Sequence, residues 1–171
     1  RVELTSEPWP GLAEMTLELL MVRAADAPYA YALERTFGSS HIVVVLPWLL
    51  TLLRLDAPSL AVAQDVVTFV LEHGPASMLY VCAALVLAQK EGALHVVDDM
   101  PLLHQHLAQA PRTHMTSGAQ PILTAAASLM QTYPLECPVV RAHRVLGRDS
   151  VLFTWPSLLP LSAPTSQWQG W

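Results

Sequence analysis

The segment from Ala76 to Lys90 constrains the fold more than any other part of the sequence, because it is apolar on nearly every side. Its apolar residues form an almost unbroken run: Tyr80, Val81, Ala83, Ala84, Leu85, Val86 and Leu87. A helix of this kind is stable only where neighbours surround it. Pro75 suits the first turn of a helix, and Gly92 suits the position after its end. We therefore predict a central apolar helix over residues 75–91, with the other elements packed around it.

Two apolar stretches, Ile42–Leu53 and Met78–Ala88, raise the question of a membrane span. Each is well short of the ~20 residues needed to cross a bilayer. We interpret both as core helices and expect no transmembrane segment. The β-branched run in residues 41–46 could form a strand, but a single strand would have no partner. We treat it as the front of a buried helix.

Helix signals recur along the rest of the chain. Periodicity, capping residues and prolines predict helices at Leu12–Ala24, from Asp26 to Gly38, at Trp48–Leu55, from Ser59 to His73, from Asp98 or Asp99 to Gln109 and, capped by Ser117, at Gln120–Tyr133. Short connections between about seven helices predict an all-α fold, an irregular array around the central helix.

We expect residues 1–146 to form one helical domain and residues 147–171 an extended tail rich in proline and tryptophan. The tail carries three tryptophans: Trp155, Trp168 and Trp171. Two interpretations stay open. The tail folds back and covers the helical body, or its tryptophans contact a partner protein.

Charged residues make up 13% of the chain, about half their share in an ordinary soluble domain. Some apolar surface is therefore expected to stay exposed unless a partner protein covers it. The net charge is -5 and the nine Lys and Arg residues form no run, which argues against nucleic acid as a partner. Cys82 and Cys137 suggest no disulfide framework, as is typical of a cytoplasmic protein.

A search for catalytic and metal-binding patterns assigns no catalytic residue, cofactor site or metal site. His104 and His106, close to Asp98 and Asp99, are the best metal candidates. Residues two apart on a helix point to different faces, so the two imidazoles cannot share one ion. Ser39-Ser40-His41 lacks the glycine-flanked turn of a serine nucleophile. We predict no enzymatic activity of the chain on its own.

Acidic residues in two predicted helices receive structural interpretations. Asp65 lies in a strongly apolar helix, so its carboxylate is either at the surface or held by a donor such as Arg54 or Arg35. We favour a structural ion pair over a catalytic role for this residue. Glu14 and Glu18 lie one turn apart on the first helix, which is typical of a solvated face.

Between residues 46 and 88, an apolar helix with Trp48 is followed by a helix with Asp65, a break at Gly74 and a long apolar helix. This order resembles the TBC domain, the module of Rab-type GTPase-activating proteins. In that family the second helix ends in a Trp-Asp pair. Here Gln64 replaces the tryptophan and the aspartate is kept.

The preceding segment, residues 28–37, is similar to the helix that leads into this unit, so the resemblance covers about residues 26–110. It implies the C-terminal half of a TBC domain, which supports the catalytic half and contributes to the GTPase-facing surface. The family's catalytic arginine and glutamine lie in the motifs Ile-x-x-Asp-x-x-Arg and Tyr-x-Gln, and neither occurs here. The resemblance thus implies a non-catalytic subdomain or subunit that binds a small GTPase or other subunits.

Two other classes of function remain open. The chain could be an unrelated helical scaffold or adaptor subunit of a multiprotein complex. It could also be an enzyme with a buried apolar pocket for a lipid-like ligand, although no converging polar residues support this. The packing order of helices 28–37, 47–55, 59–73 and 75–91 is expected to separate the first alternative from the TBC-like interpretation.

Overall fold

The computed structural model describes residues 12–38, 43–138 and 140. Within these ranges the chain is all-helical, as predicted, with no strand. The helices are α1 (Leu12–Ala25), α2 (Ala27–Phe37), α3 (Val45–Thr51), α4 (Leu60–His73), α5 (Ser77–Ala88), α6 (Lys90–His95), α7 (Met100–Ala108), α8 (Ala110–His114) and α9 (Gln120–Thr132).

Three of the predicted N-caps are confirmed by side-chain hydrogen bonds. Asp26 accepts from the backbone N–H of Tyr29 at 3.1 Å, and the Ser59 hydroxyl accepts from the N–H of Val62 at 3.3 Å. Asp99 caps α7 in the same way. The Ser117 cap is wrong, because α9 begins after Ala119 with a proline in its first turn.

The described residues form nine helices where about seven were predicted. The predicted helix over 75–91 divides at Gln89, whose side-chain amide donates to the carbonyl of His106 at 3.2 Å. Gly92 lies inside α6 and does not end a helix. The short helix α8 follows α7 after the single residue Gln109.

The third helix is also displaced from its prediction. It spans Val45–Thr51, so the β-branched residue Val45 starts a helix, as expected. Its end comes early because Leu52 and Leu53 adopt left-handed backbone conformations, with φ of 50° and 61°. Residues 39–42 lie outside the described part of the chain.

Helix α5 is the centre of the fold, as its sequence predicts. All ten residues from Ser77 to Val86 are buried. It packs most extensively against α9 and α1, and also against α8, α3 and α4. Two tyrosine hydroxyls tie it to its surroundings: Tyr29 donates to the carbonyl of Val86 at 3.1 Å, and Tyr80 to that of Tyr133 at 2.9 Å.

Across the described ranges, no helix combines the length and apolarity needed to cross a membrane. The tail and the predicted domain boundary at residue 146 lie outside those ranges.

Candidate protein-interaction surface

Helix α4 has apolar residues on two sides, and only one of these sides faces the core. Val62, Val66, Phe69 and Val70 are buried against the rest of the fold. The opposite side carries Leu60, Gln64, Val67 and Leu71, which recur at spacings of three and four and share one face of the helix. We call these four residues the α4 stripe.

The leucines of the α4 stripe are open to solvent. The exposed fraction of Leu60 is 68% and that of Leu71 is 65%. Leu50 and Leu55, on and just after α3, are each 74% exposed. Single exposed leucines are ordinary, but here two of them share one face of a helix, with Gln64 and the half-buried Val67 between them. Exposed apolar residues grouped on one face mark a candidate binding surface.

A groove of about 290 Å³ runs beside the α4 stripe on the Arg54 side. Its lining is mostly apolar, with Ala63 and the methyl-bearing Thr68 beside residues of the stripe. The guanidinium of Arg54 is exposed and makes none of the ion pairs found among the described residues. The groove can therefore accept an apolar side chain next to an acidic group.

A second groove, of about 380 Å³, lies between α4 and α9 and has a more polar lining. Asp65 and Glu72 line it, together with His73, whose ring stacks on that of Phe69 with centroids 4.3 Å apart. His73 also bonds through Nδ1 to the carbonyl of Phe69 at 3.0 Å. This groove has an acidic character that the first lacks.

The predicted ion pair of Asp65 is wrong. Asp65 is exposed, because it lies between the buried face of α4 and the α4 stripe. Arg35 instead pairs with Asp98 at 2.8 Å. No described cation forms an ion pair with Asp65 or Glu72.

Trp48 and Gly74, which the TBC resemblance also singles out, have roles in the fold itself. Trp48 is buried in the core with 1% of its surface exposed. Gly74 ends α4, and its N–H donates to the carbonyl of Val70 at 2.8 Å. The structure brings α3, α4 and α5 together, and of these motif residues Trp48 is buried, Gly74 is partly exposed and Asp65 is exposed. Trp155, Trp168 and Trp171 lie outside the described residues.

The histidines of α7 do not converge on one site. His104 is exposed, whereas the ring of His106 lies directly over Gly92. Among the described residues, no group of three or more His, Cys, Asp and Glu side chains could hold a metal ion.

The Nε2 atoms of His106 and His114 are buried without a hydrogen-bond partner. Burial, with a smaller contribution from His106, lowers the pKa of His114. The influence of His106 on His114 shows that the two rings lie close together. Sequence reasoning missed this, because the two residues are on different helices.

A third groove, of about 520 Å³, bears on the lipid-pocket alternative. It lies between α5 and α9 and is lined mainly by alanine, leucine and isoleucine side chains. His114 and Ser128 are its polar residues. The Nε2 atom of His114 has no hydrogen-bond partner, so it does not hold the hydroxyl of Ser128 as a base would hold a nucleophile.

Sequence reasoning also misplaced Glu18. The predicted solvated face is wrong, because the Glu18 side chain is fully buried and neither carboxyl oxygen has a hydrogen-bond partner. Burial raises its pKa to about 8. The sequence does carry a signal: the neighbours Leu17, Leu19 and Met21 are all buried as well, so this part of α1 has little polar face.

No protein-family model, curated protein or solved structure matches this chain. A functional conclusion therefore depends on the surfaces and grooves described above.

Proposed function

We propose that this chain acts by protein–protein interaction, as a non-catalytic helical module that binds a partner along the α4 stripe. The observation that carries this proposal is the exposure of Leu60 and Leu71, 68% and 65%, on one face of a helix. Covering such residues removes apolar surface from water and favours association.

The two grooves beside the α4 stripe define the chemistry of the partner. An amphipathic helix would place an apolar side chain in the groove near Arg54, with a carboxylate close to the guanidinium. A basic residue on its other edge would face Asp65 and Glu72. Opposite charges on the two edges would fix the direction of the bound helix.

A photo-crosslinking residue at position 71 tests this proposal in cells, with the same residue at position 102 as the control. Leu102 is also an exposed leucine, 49% exposed, but lies on α7. The partner captured only from position 71 is then purified and its affinity measured. We expect Leu71→Lys to weaken binding at least about tenfold and Leu102→Lys to change it less than about twofold. Equal effects of the two substitutions would contradict the proposal.

We further propose that the partner belongs to small-GTPase regulation, with the chain as a TBC-like C-terminal subdomain or subunit. The resemblance over residues 26–110 suggests this, and the packing of α3 and α4 against α5 is compatible with it. Cytoplasmic location is part of the proposal, since Cys82 and Cys137 are free thiols.

A panel of purified Rab-type GTPases tests this second step. We expect at least one to bind the chain saturably, with GTP hydrolysis unchanged because both catalytic motifs are missing. Acceleration of hydrolysis would contradict the non-catalytic role. Absence of binding across the panel, with a different protein captured at position 71, would favour the alternative of an unrelated scaffold subunit.

A further inference from the structure

Glu18 is a buried acid that the proposed interaction surface does not use. It lies on α1, the helix that packs against both α2 and α5. Its side chain has no exposed surface, and its two carboxyl oxygens make no hydrogen bond with any described group. A carboxylate in this position would lose its water without any compensating partner, so burial favours the protonated form while α1 is packed in place.

The titratable groups that face Glu18 cannot stabilise a negative charge. Tyr29 faces Glu18 from α2, but its hydroxyl already donates to the carbonyl of Val86. From α5 comes Cys82, whose thiol is itself fully buried. Burial raises the pKa of both groups, and an ionised Glu18 would raise it further.

The described cations near this end of α1 are already paired. Arg23 of α1 forms an ion pair with Glu34 of α2. Lys90, at the start of α6, forms another with Asp26, the N-cap of α2. Both pairs are partly exposed, whereas Glu18 is enclosed. Among the described residues, no cation forms an ion pair with the carboxyl group of Glu18.

We propose that Glu18 is a proton-dependent latch: α1 stays packed on α5 while the carboxyl group is protonated and is released from α5 once the carboxyl group is ionised. The released state would uncover the apolar side of α5, including Cys82. This inference is independent of the proposed partner surface, because the α4 stripe takes no part in it.

The direction of the effect follows from proton linkage. Burial raises the pKa of Glu18 from 4.5 to about 8, so the closed state keeps its proton up to about pH 8. The open state loses that proton above about pH 4.5. Between these values opening releases one proton, and its equilibrium constant rises about tenfold per pH unit. Above about pH 8 the dependence ends, because both states are ionised.

Amide hydrogen exchange on the whole chain tests the latch, with α9 as an internal reference and rates corrected for the intrinsic effect of pH. We expect the protection of α1 amides to fall about tenfold per unit between about pH 6 and pH 8 and then level off. Protection of α9 should change much less over the same range. Glu18→Gln and Glu18→Met, which carry no titrating group, should remove the slope. Glu91→Gln, which removes an exposed carboxyl, should keep it.

Three results would overturn the proposal. The first is protection of α1 that does not vary with pH in the natural sequence. The second is a slope that persists in both Glu18 variants, which would assign the titration to another group. The third is an equal slope in α9, which would mean that the whole fold opens and α1 is not released by itself. If one variant fails to fold, the other still decides the second result.

Discussion

Two glycines that end helices differ in how strictly they need to be glycine. Gly38 follows α2 with φ 64° and ψ 15°, a left-handed conformation that asparagine also adopts. Gly74 follows α4 with φ 87° and ψ 164°, a region that is essentially restricted to glycine. The residue marked by the TBC resemblance is therefore explained by backbone geometry, whatever its role in binding.

Asparagine substitutions at the two positions should separate these conformations. We expect Gly74→Asn to lower the free energy of unfolding by about 1–3 kcal/mol, and Gly38→Asn by less than about 1 kcal/mol. Urea denaturation followed by circular dichroism measures both. Equal losses at the two sites would show that the conformation of Gly74 is not the source of the constraint.

Individual residues were predictable from sequence where the cause is local. The caps Asp26, Ser59 and Asp99 bond to backbone groups three residues away, so their roles follow from neighbouring sequence. Burial of Glu18 was only partly predictable, because its apolar neighbours in α1 are a local signal but the packing of α1 against α5 involves a distant part of the chain. Exposure of Asp65 likewise depends on which side of α4 meets the core.

At the scale of elements, the division of the central helix coincides with contacts that α7 makes at Gln89 and Gly92. The ring of His106 lies so close to Gly92 that a Cβ atom there would be 2.3 Å from Nε2. The neighbouring side-chain amide of Gln89 bonds to the carbonyl of His106, at the point where α5 gives way to α6. Sequence reasoning missed the break, because both contacts come from a later helix.

The effect of Gly92→Ala on the free energy of unfolding should change sign with the residue at position 106. Alanine is the better helix former by up to about 1 kcal/mol, but overpacking against His106 costs about 1–3 kcal/mol. We therefore expect Gly92→Ala to destabilise the natural chain. In a His106→Ala background, where the space is open, the same change should stabilise by about 0.5–1 kcal/mol.

A double-mutant cycle by chemical denaturation measures this coupling between the two positions. The comparison includes the natural chain, each single variant and the double variant. Stabilisation by Gly92→Ala in both backgrounds would mean that the imidazole moves aside without cost, and that His106 does not restrict position 92.

At the scale of the whole molecule, α5 organises a single core made from both ends of the described chain. The core cluster extends from Leu17 to Val140. The apolarity of α5 predicted its central place, and the TBC-like segment places the Trp48 and Asp65 helices directly before it in sequence. The largest contacts are instead with α9 and α1. Amphipathic periodicity shows that a helix has a buried face, but it does not say which helix that face meets.

A single core and a proton-dependent latch together determine how Cys82 becomes accessible. Its thiol is fully buried in the middle of α5, between α1 and α9. At about pH 6, where Glu18 keeps its proton in the closed state, opening of α1 is rare and Cys82 should react only when the whole fold unfolds.

In a Cys137→Ser chain, urea transitions followed at about pH 6 by circular dichroism and by Cys82 labelling should then coincide. At about pH 8.5, labelling relative to the unfolded chain at the same pH should begin at lower urea than helix loss, because α1 opens first. Labelling that precedes helix loss equally at both pH values would contradict the role of Glu18. Coincident transitions at both pH values would mean that α1 leaves α5 only when the entire core is lost.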